Sequence, residues 1–271
     1  MSELNERVVL VSGGSSGIGR ATALAFAKKG FKVYELSRTG EDLPGVTHLN
    51  CDITSDEDVA SAVQRVLDEQ GRIDIVVSNA GYGIAGPIET TKMADIERQF
   101  AVNYFGAIRL IQAVLPSMRA RRCGRIIVIS SVAAVVSIPF QIAYTCTKAS
   151  LNQLVLGLNN ELRPYNIELV SIMPGDIKTP FTEHRQYNKE SSCPIYGNRS
   201  LTSIRKMEED EVCGSSCEKL ARHLVHLACM KRRPKPIRGY GLTYRLILIL
   251  ERILPVRLTN YLIYRLYAHD V

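Results

Sequence analysis

The chain has 271 residues, 46% of them hydrophobic and 23% charged, with a formal net charge of +7. That mixture excludes a disordered or fibrous polypeptide and suits an ordinary globular one. Seven cysteines at irregular spacing argue for reduced thiols and against a disulfide framework.

Much of the basic excess lies in residues 231–271, in KRRPKPIR (231–238) and at Arg245, Arg252, Arg257 and Arg265. There is no zinc-finger spacing and no basic helix free of core residues, so nucleic acid is not an expected partner. Met1–Val11 carries neither the long apolar core nor the small-residue cleavage site of a secretory signal, which sets a cytoplasmic expectation.

The first element is RVVLVSG (7–13), a β-rich apolar run that reads as a buried strand. It leads into SGGSSGIG (12–19), after which Ile18, Ala21, Ala25 and Phe26 recur at helical spacing until Gly30. A glycine turn between a first strand and a first helix lets the backbone approach a pyrophosphate, and the helix N–H groups face its charge. FKVYELS (31–37) is the second strand. An NAD site generally has Asp or Glu at that strand's end; here Ser37 and Arg38 follow, which favours a 2′-phosphate and hence NADP(H). Glu35 is expected on the same face as Ser37 and weighs the other way.

VTHLNCD (46–52) is a third strand, and Ser55 with Asp58 forms a capping box for a helix reaching about Glu69. RIDIVVSNAG (72–81) is a fourth strand running into a glycine turn. One long helix is expected from about Lys92 to Arg121. The strand GRIIVIS (124–130), a helix over 142–162 and the strand IELVSIMP (167–174) follow. Residues 181–210 are polar and mixed. Ser215–Ala228 reads as a helix, KPIRGYG as a short edge strand, and 243–267 as two helices broken by Pro255. Apolar strands alternating with helices imply a parallel sheet covered on both faces, a doubly wound α/β fold in one domain.

YTCTK (144–148) places Tyr144 and Lys148 one helical turn apart on one face. An unperturbed tyrosine, with a pKa of about 10, is a poor base near neutrality. A fixed ammonium nearby, together with the positive nicotinamide of an oxidised cofactor, favours the phenolate.

In order, SGGSSGIG, Asp52, NAG (79–81), Asn103, Ser131, YTCTK, and PG (174–175) with Thr179 resemble the motifs of the classical short-chain dehydrogenase/reductase family, over roughly residues 6 to 180. Ser12 stands where the family usually has threonine. Ser131 is chosen over its neighbour Ser130 by its interval to Tyr144. The resemblance implies a Rossmann sheet as a single domain (1–242, with a substrate loop at 181–210) and a helical C-terminal extension (243–271). It implies an enzyme interconverting an alcohol and a ketone. Tyr144 would be the acid/base, Lys148 would also hold the nicotinamide ribose, Ser131 would bond the substrate oxygen, and Asn103 would anchor a relaying water. The NADP site would be formed by Ser12, Gly13, Ser15, Ser16, Gly17, Ile18 and Gly19 at the phosphates, and by Ser37 and Arg38. Asp52, Ile53, Asn79, Ala80 and Gly81 would line the adenosine side, and Pro174, Gly175, Ile177 and Thr179 the carboxamide side. No metal is required, although Cys213, Cys217, His223 and His226 have a spacing worth checking. A homodimer or homotetramer is usual in the family.

The segment YRLILILERILPVRLTNYLIYRLY (244–267) is apolar and basic, but its uncharged runs are too short to cross a bilayer. Packing on the body or a subunit interface, a lid over the substrate, and an anchor lying peripherally on a membrane remain three readings of it. Similar tails occur in relatives that resemble hydroxysteroid and retinol dehydrogenases, which tilts the expected substrate towards a lipophilic alcohol or ketone. A 3-oxoacyl thioester reductase of lipid synthesis and a non-catalytic NADP(H)-sensing protein are the rival readings.

Overall fold

Val8–Ser12 (β1) is buried along its whole length, with Val8 and Leu10 on one face and Val9 and Val11 on the other. A strand apolar on both faces must be covered on both. The computed structural model, which describes residues 6–181, 185–187, 195–196 and 198–269, meets that demand with a seven-stranded, wholly parallel sheet. The other strands are Lys32–Ser37 (β2), Val46–Asn50 (β3), Ile75–Ser78 (β4), Gly124–Ile129 (β6), Ile167–Met173 (β7) and Ile237–Gly239 (β11). Their order is β11-β7-β6-β4-β1-β2-β3. Two-residue ladders join Ile84–Ala85 (β5) to Gln186–Tyr187 (β9), and Ile177–Lys178 (β8) to Ser215–Ser216 (β10).

One layer holds Gly17–Lys28 (α1) and Cys217–Cys229 (α7), which pack with Phe26, Leu220 and Leu224 in one apolar cluster. The opposite layer holds Asp56–Gln70 (α2), Gly106–Arg121 (α4) and Ile142–Glu161 (α5), with Val66, Leu110 and Leu151 in the other cluster. From β1 the chain builds outward through β2 and β3, then returns to β4 on the other side of β1. At such a reversal the loops beyond the strand ends splay apart and leave a crevice. The loops after β1 and β4 carry SGGSSGIG and NAG.

Three details differ from the sequence expectations. Ser55 accepts the Asp58 N–H at 3.1 Å as an N-cap, but the Asp58 carboxylate takes the Ser55 hydroxyl and the Asp52 N–H instead of closing a reciprocal box. The long helix is two helices, Met93–Phe100 (α3) and α4, joined by a π turn over Ala101–Phe105. That inserted turn changes which side chains face inward, and it is the segment that carries Asn103. The polar segment 181–210 contains the start of a helix, Arg199–Val212 (α6), whose inner face is Ser200, Ser203, Ile204 and Met207. Two buried serines on that face explain why an apolar count misses it. Residues 182–184, 188–194 and 197 of that segment lie outside the described residues.

At the C-terminus, Leu242–Ile253 (α8) and Val256–Tyr267 (α9) are separated at Pro255 and bury no residue fully. Among the described residues, no helix is long and apolar enough to cross a membrane.

Candidate active site

The crevice at the strand reversal is a cleft of ≈ 1060 Å³. Its floor begins with the glycine turn. Gly13 and Gly17 have φ of +65° and +51°, a left-handed backbone that glycine adopts without strain. Asn79 fixes this turn from the next strand: its amide donates to the carbonyls of Ser12 and Gly13 at 3.1 and 3.0 Å. The Ser12 hydroxyl in turn accepts the N–H groups of Asn79 and Ala80. Gly19 packs so closely that a Cβ there would lie 2.0 Å from the Gly13 carbonyl oxygen. Ser12 and Gly19 therefore build the turn from behind, whereas Gly13, Ser15, Ser16, Gly17 and Ile18 line the cleft.

The turn fits a dinucleotide diphosphate. Ser16, the N-cap of α1, makes no side-chain cap bond, and the first turn holds no acidic residue, so the N–H groups at the helix start are left for an anion. At the end of β2, Ser37 and the exposed Arg38 also line the cleft. Glu35 does share the Ser37 side, as expected, but it is buried: it pairs with His48, accepts the Ser37 hydroxyl at 3.1 Å and lies beneath Gly14. Asp52 lines the cleft beside Ile53. Burial pushes its pKa up, but hydrogen bonds from Thr54 and the charges of Arg38 and Arg109 outweigh that and hold the carboxyl below its ordinary value.

Tyr144 and Lys148 leave α5 on one face, as their spacing requires, and both enter the cleft. Ser131, at the end of β6, shares a hydrogen bond with the Tyr144 phenol while its Oγ accepts the Ala133 N–H at 3.1 Å. Ser130 also borders the cleft, but its hydroxyl donates to the Lys148 carbonyl at 3.0 Å, which ties the strand end to α5.

Lys148 is 5% exposed, its Nζ donates to the Ile129 carbonyl at 2.8 Å, and it lies 5.6 Å from the Tyr144 ring centroid. Burial pushes this ammonium down to about 8. Burial likewise pushes the Tyr144 phenol up to about 12, against the Ser131 hydrogen bond and the Arg185 charge, which favour ionisation, and with the Glu211 charge, which opposes it. In the protein alone, desolvation outweighs the groups that favour ionisation. Phe181, with its ring 5.7 Å from that of Tyr144, forms the adjoining wall.

Asn103 does not line the cleft. Its Oδ1 accepts the Tyr82 N–H at 3.0 Å, and its Nδ2 donates to the Tyr82 carbonyl and the Thr147 hydroxyl at 2.9 and 3.2 Å. It holds the loop after NAG against α5. Thr147 and Tyr82 escape a motif reading, because nothing in the sequence says which residues a π turn brings together. Pro174, Gly175, Ile177 and Thr179 line the far end. There Tyr244 of α8 lies over Gly175, donates to the Asp176 carboxylate and accepts the Asp176 N–H at 2.9 Å. From this clamp onward α8 and α9 form an apolar wall of the same cleft, with Ile247, Leu254, Leu262 and Ile263 among its members. The cysteines and histidines of 213–226 form no metal cluster; among the described residues no group of three His, Cys, Asp or Glu side chains is placed to hold an ion.

A family model described as short chain dehydrogenase matches residues 7–190. The 3-ketodihydrosphingosine reductase of Bacteroides thetaiotaomicron is 33% identical over 233 residues, covering 85% of this chain and 87% of that protein. Human retinol dehydrogenase 8 is 36% identical over 190 residues, covering 65% of this chain and 60% of its own length. Among solved structures, a short-chain dehydrogenase from Streptomyces avermitilis superposes with a TM-score of 0.81 at 28% identity, covering 94% of this chain and 95% of that one.

Asn103→Ala strips the partner from the Tyr82 N–H and removes one of the two donors to its carbonyl, the other being Gln99 Nε2 at 3.1 Å. Each buried polar group left unpaired costs about 1–3 kcal/mol, so thermal denaturation should show a lowered midpoint. An unchanged midpoint would remove Asn103 from the scaffold of the site.

Proposed function

The chain belongs to the short-chain dehydrogenase family, and from that premise we propose that it is an NADP(H)-dependent oxidoreductase interconverting a secondary alcohol and a ketone on a lipophilic substrate. The observation that carries this reading is the convergence of Tyr144, Ser131 and Lys148 on one cleft with the glycine turn and Arg38.

In the direction of reduction, a carbonyl oxygen between Ser131 and Tyr144 gains negative charge as hydride arrives at carbon. The Ser131 hydroxyl donates a hydrogen bond to that oxygen, and Tyr144 transfers its proton to it. A phenol held at about 12 is protonated at neutral pH, so the protein alone is already charged for this donation. The bound dinucleotide supplies the hydride and, once oxidised, a positive ring charge. Lys148 would hold the nicotinamide ribose, and its ammonium stabilises the phenolate left after proton transfer. Asn103 would act one layer out, through Tyr82 and Thr147. Ser37 and Arg38 would meet the 2′-phosphate; the Glu35 side chain that could oppose it is turned inward to His48. The α8–α9 wall supports a lipophilic substrate, and two similar proteins are named for 3-ketodihydrosphingosine and for retinol.

NADPH consumption across long-chain ketones, steroids, retinoids and 3-oxoacyl thioesters tests substrate class, and turnover is expected with the lipophilic ketones. Tyr144→Phe should then lower kcat by at least about 100-fold, the usual worth of a positioned acid, while NADPH still binds. Full activity in that variant would refute the assignment. Arg38→Ala should weaken NADPH binding about tenfold or more, as loss of a charge-assisted contact implies, and leave NADH binding unchanged. An unaltered preference between the two would remove Arg38 from cofactor selection.

A further inference from the structure

Helices α8 and α9 have a face that the cleft does not use. On α8, Leu242, Leu246, Ile249 and Ile253 recur at i, i+4, i+7 and i+11, which places them on one stripe. They are 76%, 52%, 53% and 71% exposed. The cleft is lined from another side of that helix, by Tyr244, Ile247, Glu251 and Leu254. On α9 the outward residues include Val256, Leu258, Tyr261 and Tyr264, with Arg257 and Arg265 beside them. An apolar patch of this extent on a chain surface marks a contact with something else.

The charges around it say what. Glu251 is the acid within α8 and α9, and it faces the cleft. At the root of α8, Arg238 of β11 and Arg245 lie close enough that burial, and then the Arg245 charge, push the Arg238 pKa down. Arg245 Nε donates to the Gly239 carbonyl next to Arg238 at 3.2 Å, and the His223 ring of α7 lies 5.4 Å from that of Tyr240 on the same short segment, its Nε2 buried without a hydrogen-bond partner among the described residues. Arg238, Arg245, Arg252 and Arg257 form no ion pair among the described residues. Uncompensated cations beside an apolar stripe fit an anion-bearing apolar surface, with tyrosines suited to its boundary. Each helix has 12 residues, about 18 Å at 1.5 Å per residue, against about 30 Å for a bilayer core. Such helices lie in the interface plane.

We propose that α8 and α9 dock the protein on an anionic lipid bilayer, with the α8 stripe among the acyl chains and a headgroup phosphate between Arg238, Arg245 and His223. Leu250, Leu262 and Leu266 belong both to the cleft wall and to the exposed surface. The docked face is thus continuous with the cleft, giving a lipophilic substrate a direct route from the bilayer; this route rests on the oxidoreductase reading, whereas docking does not.

Co-sedimentation of the full chain with phosphatidylcholine vesicles, with and without phosphatidylglycerol, tests docking without any turnover assay. Partitioning should be at least about tenfold stronger on the anionic vesicles and should weaken with salt. Ile249→Asp with Ile253→Asp should abolish it. Arg238→Gln with Arg245→Gln should lower it about tenfold on anionic vesicles alone. NADPH binding by each variant reports that its fold is intact. Wild-type protein left in the supernatant with both vesicle types would overturn the proposal. So would an Ile249/Ile253 variant that splits a dimer in sedimentation velocity yet still binds vesicles, because the face would then belong to a second copy of the chain.

Discussion

The site depends on setting a half-buried phenol beside a buried ammonium. Water normally stabilises both the phenolate and the ammonium, and its exclusion disfavours each charge. Tyr144 therefore keeps its proton more firmly than a free tyrosine, and Lys148 keeps its proton less firmly than a free lysine. The pair is poised asymmetrically, with a reluctant acid beside a cation whose charge is ready to be used. Any negative charge arriving at the phenol oxygen raises the worth of that cation. On the proposed reading, proton transfer to substrate creates that charge.

The scaffold makes the burial possible. A parallel sheet covered on both faces leaves its strand ends as the place where polar backbone must meet something other than helix. Gly13 and Gly17 let the chain turn there with no side chain in the way. Asn79 and Ser12 stitch that turn to the next strand end, and Ser130 stitches β6 to α5 behind Lys148. The π turn does the same from the other side: a regular helix over 92–121 would carry Asn103 to a different angle, away from Tyr82 and Thr147. Tyr244 closes the remaining end by lying on Gly175, so the two C-terminal helices become part of the cleft.

The succession of strands and helices, the glycine turn and the shared face of Tyr144 and Lys148 were legible in the sequence because period and spacing encode them directly. Ser131 was legible only as an interval, and its separation from Ser130 needed coordinates. The π turn was not legible, since its residues, AVNYF, suit an ordinary helix. Helix α6 was hidden because serines occupy half of its inner face. The burial at Tyr144 was not legible: the sequence shows a cation nearby but does not show how much water is excluded. The cleft-lining role of α8 and α9 left one ambiguous sign, an apolar and basic tail, which fits packing, lid and membrane surface alike.

The measurement closest to the central claim is a titration of the Tyr144 phenol in the protein without nucleotide, using tyrosine labelled with carbon-13 at Cζ and Tyr144→Phe to assign its signal. The account predicts that this resonance stays at its protonated position through pH 10 while exposed tyrosines begin to ionise. A midpoint near neutrality would contradict it, because the Lys148 charge would then outweigh desolvation and the phenol would not be the stored acid of a reductase.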